Sequence, residues 1–378
     1  MQSSKSNLRK QNCKTVKFPT TYEAVLARVH QIDPIKYGRT RNYIDGAVTY
    51  LSPYISRGVI STKQVLDITL DRGFNPKSIE KFIQELVWRE YWQEIWWANG
   101  KGIDQDLRSA QKDVLHTEMP TAILGARTGI HAIDQALEDF YQTGYLHNHV
   151  RMYLATITCN VGKSHWLNPA KWMYFHLLDG DWASNALSWQ WVAGTNSKRK
   201  YLANQENINR FCHTQQRGTF LDQSYEAIAQ MACPEQLQQT TELSLHTHLP
   251  AAQPLQIDPH LPTLLYTSYQ LDPNWMAGTK ANRILILEPS HFEAYPVSEK
   301  VIDFILALSK NIPTIQVFTG AFEELIQKYN PPNIHFKKHP FTTDFQGTGV
   351  NYDKIFSIRG DHPSFFRYWN KGKKERNW

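Results

Sequence analysis

The segment DGDWASNALSWQW, Asp179 to Trp191, concentrates side chains capable of chemistry. If a helix begins near Asp181, then Asp181, Asn185 and Trp189 recur every fourth residue and share one face. A carboxylate, an amide and an indole in one stripe form a wall suited to a flat heteroaromatic ring. The acid would meet a ring N–H, the amide a reactive nitrogen, and the indole would lie alongside. Spacing alone favours the plainer reading, an N-cap Asp followed by buried indoles, and leaves the other open.

Three further segments carry comparable groupings. QELVWREYW, Gln84 to Trp92, sets Glu85 four residues before Arg89 and Trp88 four before Trp92. Its plainer account is a surface ion pair beside an apolar stripe, worth little energetically. YLHNHVRM, Tyr145 to Met152, places Asn148, Arg151 and Met152 on one helical face. His147 and His149 diverge at their spacing of two and do not suggest a metal pair. In DGAVTYLSPYISRGVIS, Asp45 to Ser61, Gly46, Thr49 and Ser52 put small and hydroxyl side chains near a turn, suited to phosphate oxygens. That segment matches neither a P-loop nor GxGxxG.

The elements that must position these groups divide the chain. Residues 18–232 read as mostly helical, with period 3.6 over Glu80–Trp97, Ile130–Gly144, His149–Val161 and Ala170–Leu178. Ser61 is expected to cap a helix that closes on Gly73, and Asn168-Pro169 to open another with Pro in the first position. Residues 233–262 are rich in Gln, Thr and Pro and read as a linker. In 263–370, β-rich runs at Leu264–Ser268, Arg283–Leu287, Thr314–Thr319, Ile334–Lys338 and Lys354–Ile358 alternate with helical stretches Ser298–Lys310 and Ala321–Tyr329. That alternation predicts a small C-terminal α/β domain behind an all-helical one. The N-terminal MQSSKSNLRKQNCK reads as a frayed tail and KGKKER, Lys371 to Arg376, as a solvated basic end.

Bulk composition sets outer bounds. With 378 residues, 41% hydrophobic and 20% charged, the chain can bury a core, which excludes global disorder. No apolar run nears the roughly 18 residues of a membrane span, so no membrane partner is expected. The four cysteines, Cys13, Cys159, Cys212 and Cys233, are too scattered for a zinc site or disulfide framework, which suggests a reduced, cytoplasmic protein without structural metal. A net charge of +6 permits a polyanionic partner without requiring one. Nine of the 12 tryptophans lie between Trp88 and Trp191, a density suited to stacking on bases or a flavin, or to electron hopping.

In the order LSPYISRGVIS, ELVWREYW, TGIHAIDQAL, LHNHVRM and LLDGDWASNALSWQW, the chain strongly resembles the FAD-binding domain of DNA photolyases and cryptochromes, over roughly Tyr37 to Trp191. The resemblance implies FAD bent into a U. Tyr37, Val48, Thr49, Leu51 and Ser52 would lie along its phosphates, and Val48-Thr49 stands where the family usually has Thr-Ser. Phe82 would pack on the cofactor where many relatives have Trp, and Arg89 would reach it. Arg151 would pair with Asp179 beside the flavin, with Asp181 on ring N3 and Asn185 facing N5.

The resemblance also implies a substrate pocket. Glu85 would bond a cyclobutane pyrimidine dimer, Trp88 and Trp191 would stack on it, and Asn148 and Met152 would line the site. Relatives that repair (6-4) photoproducts carry His at the last two positions, and this chain does not. Trp189 and Trp166 match the inner members of the family's electron chain, with no Trp between Trp97 and Trp166 for the outer one. The implied function is light-driven repair of dimers in damaged DNA by a lyase, or alternatively a photoreceptor that signals through a partner. The family's usual N-terminal antenna domain has no counterpart before Tyr37, so no antenna chromophore is expected.

Overall fold

The computed structural model describes residues 16–360 and 362–378. The tail reading and Cys13 lie outside the described residues. Five helices frame the site: α1 (Glu80–Asn99), α2 (Asn148–Ala155), α3 (Leu167–His176), α4 (Trp182–Ala193) and α5 (Phe365–Arg376). Five strands form one parallel sheet: β1 (Thr263–Tyr266), β2 (Asn282–Leu287), β3 (Gln316–Thr319), β4 (Ile334–Lys337) and β5 (Thr348–Val350). Their spatial order is β3-β2-β1-β4-β5, so the direction of winding reverses between β1 and β4.

The side-chain alternation of β1 explains how the sheet is covered. Leu264 and Tyr266 join a core shared with the helices, together with Leu285 and Leu287 of β2. Leu265, Ile284 and Ile286 face the other way, into a second cluster with Phe318, Phe322, Leu325 and Phe336. Both faces are therefore dry, as a parallel sheet requires. Arg57, fully buried, ties the layers together: it donates to the carbonyls of Leu178 (3.1 Å) and Leu177 (3.5 Å) and lies over the Tyr269 ring. Gly58 (φ +62°) makes that approach possible, because a Cβ there would stand 2.3 Å from the Tyr269 carbonyl oxygen.

Several expectations change on contact with the structure. The run Lys354–Ile358 is not a strand. The buried Glu90 carboxylate of α1 accepts from the amides of Ile355 (2.7 Å) and Phe356 (3.3 Å), so these donors are lost to a ladder, and β5 forms earlier at Thr348–Val350. The basic segment 371–376 is not a loose end but the second half of α5, with Lys371 and Lys374 exposed. Lys373 pairs with Glu80 (3.0 Å), Arg376 donates to the Ile355 carbonyl (2.7 Å), and Gly372 leaves room for the Phe356 ring.

Helix α3 starts at Leu167, ahead of Pro169, and Asn168 donates to the Thr117 carbonyl (3.0 Å) instead of capping. The single helix expected over His149–Val161 is α2 followed by a π-helical turn, Thr156–Val161, where the Thr158 hydroxyl donates to the Leu154 carbonyl and competes with the α ladder, while Asn160 donates to the distant carbonyls of Val192 and Tyr201. Ser61 does cap its helix, accepting from the Gln64 amide (3.0 Å).

Candidate functional site

Of the expected cofactor residues, Ser52, Arg89 and Arg151 gather around the buried carboxylate of Asp179, at the turn between α3 and α4. Arg151 of α2 donates from Nη2 to both Asp179 oxygens (3.0 and 2.9 Å). Its Nε holds the Leu146 carbonyl at 2.8 Å, which fixes the plane of the guanidinium. Burial pushes the Asp179 carboxyl up, but the Arg151 charge, hydrogen bonds from Ser52 and Arg151, and the charge of Arg89 outweigh it, so the group sits below the usual carboxylate range. Arg89 of α1 donates to Ser56 Oγ (2.7 Å), and Ser56 Oγ donates to the Asp179 carbonyl (2.8 Å). Two guanidinium groups and the hydroxyl of Ser52 thus surround one ionised acid, a donor-rich setting suited to anionic and carbonyl oxygens.

Beside this network lies an aromatic wall. Tyr37 meets Phe82 edge-on with ring centroids 5.5 Å apart. Burial drives the Tyr37 phenol far above its ordinary range, and the Glu85 charge adds to it. Thr49 Oγ1 accepts from the Leu51 amide (3.3 Å) in a loop where Tyr50 takes φ +53°, and Val48 contributes no hydroxyl. Leu51 is buried and Ser52 begins the helix Ser52–Ser56.

On α4 the plainer reading of the spacing holds. Asp181 is the N-cap, its Oδ1 accepting from the Ser184 amide (2.7 Å), while Oδ2 accepts from Gln93 of α1. Asn185 is buried and donates to the Ala170 carbonyl (2.8 Å). Trp189 is buried, as is Trp166, whose Nε1 donates to Asp106 (2.7 Å).

The expected substrate residues are not gathered in the same way. Glu85 pairs with Arg41 (3.3 Å) and Lys81 (3.4 Å), not with Arg89. Asn148 is exposed at the start of α2, and Met152 is half-buried against the core. Trp191 is 39% exposed and leans on Tyr201. Trp88 contacts Trp92 as its spacing implied, but its face is covered: Phe365 of α5 stacks on it with centroids 3.7 Å apart and planes 8° from parallel.

Residues that the sequence did not single out complete the picture. Arg41 follows Tyr37 by one helical turn and Gln93 follows Arg89 by one turn, so helical spacing could have found both. A cleft of about 110 Å³ opens beside Arg89, Gln93 and Asp181, and its lining also includes Tyr269, Gln270, Lys338 and His339 from the loops that follow β1 and β4. No sequence signal pointed there.

Residues 82–257 match the family model described as the FAD binding domain of DNA photolyase. The chain is 30% identical over 177 residues to a deoxyribodipyrimidine photo-lyase of Agrobacterium fabrum, covering 44% of this chain and 37% of that protein. It is 26% identical over 203 residues to the enzyme of the same name from Escherichia coli, covering 50% and 42%. The chain thus spans about two fifths of the length of these relatives. Among solved structures, a cryptochrome from Synechocystis superposes with a TM-score of 0.47 at 23% identity, covering 52% of this chain and 44% of that one. A class III photolyase from Agrobacterium tumefaciens gives 0.43 at 25% identity, covering 50% and 42%.

Proposed function

We propose, because residues 82–257 match the family model described as the FAD binding domain of DNA photolyase, that the chain binds FAD and uses light to split cyclobutane pyrimidine dimers in damaged DNA. The observation that carries this reading is the Asp179 network, whose two guanidinium groups and hydroxyl are held in place around an ionised carboxylate. These residues fit the cofactor. Ser52 and Thr49 would serve its phosphates, with Val48 giving no third hydroxyl and Tyr37 and Leu51 alongside; Arg89, Asp181 and Asn185 would serve the flavin ring; Phe82 would pack on the cofactor. When bound, the flavin would supply the photoexcited electron.

The chain's own task is positioning. Arg151, locked by Asp179 and Leu146, fixes the ring's surroundings; buried Trp189 and Trp166 offer a route for reducing equivalents; Glu85, Asn148 and Met152 would meet a flipped dimer, with Trp191 and Trp88 at its faces. The residue split between cofactor and substrate is part of the proposal, as are the cytoplasmic setting and the division into units at 233–262.

A second reading, a photoreceptor that signals through a partner, is favoured by one observation: Phe365 already lies on the face of Trp88 where a base would stack. One assay separates the two. The protein is purified, loaded with FAD, reduced, mixed with dimer-containing DNA and illuminated, and the remaining dimers are counted. Loss of dimers only in the light supports repair. A light-induced flavin change with no dimer loss overturns repair in favour of the photoreceptor, and no flavin uptake ends both.

A further inference from the structure

The cleft beside Asp181 lies at a special place in the sheet. In an open parallel sheet, the loops after two neighbouring strands diverge where the winding reverses, leaving a crevice at their carboxyl ends that commonly holds a ligand. Here the reversal falls between β1 and β4. The loop after β1 brings Tyr269 and Gln270 to the cleft, and the loop after β4 brings Lys338 and His339. The opposite wall is Arg89, Gln93 and Asp181.

Two side chains in that crevice are buried with a donor left over. Gln270 is 2% exposed; its Oε1 accepts from the Asp272 amide (3.3 Å), and its Nε2 has no partner among the described residues. His339 is 4% exposed and stacks on Tyr269 with centroids 4.3 Å apart. Burial, then the charges of His291 and Lys354, push the His339 ring well below its ordinary pKa, so it is neutral. Its Nδ1 faces the Phe341 amide (3.5 Å) as acceptor, which leaves the proton on Nε2, also without a partner among the described residues. A buried donor without an acceptor costs about 1–3 kcal/mol, so two beside one crevice mark a place where a ligand presenting acceptors would be stabilised.

We propose that Gln270 and His339 bind the pyrimidine edge of the flavin, so that the sheet forms the second wall of the cofactor site. The inference rests on the FAD reading above. That edge runs acceptor, donor, acceptor: a carbonyl, an N–H, a carbonyl. Asp181 across the cleft is the carboxylate for the N–H, and Arg89, Gln270 and His339 are the donors for the flanking carbonyls. Reduction places negative charge on the ring beside its C2 carbonyl, so neutral donors held there stabilise the reduced form more than the oxidised one.

The test uses the full chain. Hydrogen exchange of the wild type, with and without FAD, should show slowed exchange in 267–272 and 338–342. Gln270→Met and His339→Phe keep shape and remove a donor. Each should weaken FAD binding by about tenfold and lower the flavin midpoint potential. The exchange measurement needs no variant and so stands even where a substitution prevents folding. If the wild type takes up FAD but both loops exchange unchanged, or the folded variants match it in affinity and potential, this inference is overturned while the FAD reading survives. A different small molecule that co-purifies with the chain and protects those loops, where FAD does not, also overturns it. A wild type that takes up no FAD refutes the underlying reading instead.

Discussion

Replacing Glu90 with Gln should make the protein's stability less dependent on pH, and the size of the effect is set by its surroundings. Glu90 is buried in α1, accepts from the amides of Ile355 and Phe356 and the hydroxyl of Thr62, and lies near Lys354. Burial dominates these donors and raises the carboxyl from 4.5 to about 7. The folded state therefore holds the proton more tightly than the unfolded chain. The resulting stabilisation is complete below pH 4.5 and is lost as the pH rises through about 7. At roughly 1.4 kcal/mol per pH unit, the whole change is worth about 3 kcal/mol.

Gln imitates the protonated acid and does not titrate. Urea unfolding of both proteins from pH 4.5 to pH 8 should show the wild type losing about 3 kcal/mol relative to Glu90→Gln. Taking the difference cancels every other titrating group. A difference that stays constant would refute the reasoning. One that grows in favour of the wild type would show that Thr62, Ile355, Phe356 and Lys354 together outweigh burial and keep the carboxylate ionised.

Three further outcomes are expected. Asp179→Ala should cost far more flavin on purification, read from visible absorbance, than Trp88→Ala, because Arg151 would be left largely buried and unpaired at a cost of several kcal/mol; equal losses would show that the division between cofactor and substrate sides is wrong. Phe365→Ala should bare the face of Trp88, raising quenching of tryptophan fluorescence by acrylamide and tightening binding to dimer-containing DNA, and unchanged quenching would mean that α5 does not shield it. Neutralising Lys198, Arg199 and Lys200 should weaken damaged and undamaged DNA alike and flatten the salt dependence, mostly through the first two because Lys200 is engaged with Asp113 (2.9 Å); Trp191→Ala should abolish only the preference for damage, and a triple variant with wild-type salt dependence would remove this loop from the interface.

The parts of the site on helices were legible because helical spacing is local. Trp88 and Trp92 touch as their four-residue separation implies, and Asp181 caps α4 where the spacing put a helix start. The pairing of Arg151 with Asp179 was expected only from the family resemblance, and the structure brings the two together. The alternation of strands and helices after residue 262 was also readable, four of the five runs forming strands. The fifth failed for a reason no local pattern holds: the amides of Ile355 and Phe356 are claimed by a carboxylate more than two hundred and fifty residues away. Phe365 on Trp88 and Gln270 opposite Asp181 are likewise products of topology. Strand order decides which loops face α1, and strand order is not written in hydrophobic period.

The clasp between α1 and segment 354–376 also bears on how the protein is made. Glu90, Glu94 and Trp88 find partners in Ile355, Gly360 and Phe365, contacts that span some of the longest loops in the chain. During synthesis α1 leaves the ribosome long before those partners exist. In that interval it displays two acids meant for burial and a bare indole face to water and to chaperones. Flavin that arrived early would meet a helix not yet held from behind, and contacts of this sequence separation form slowly.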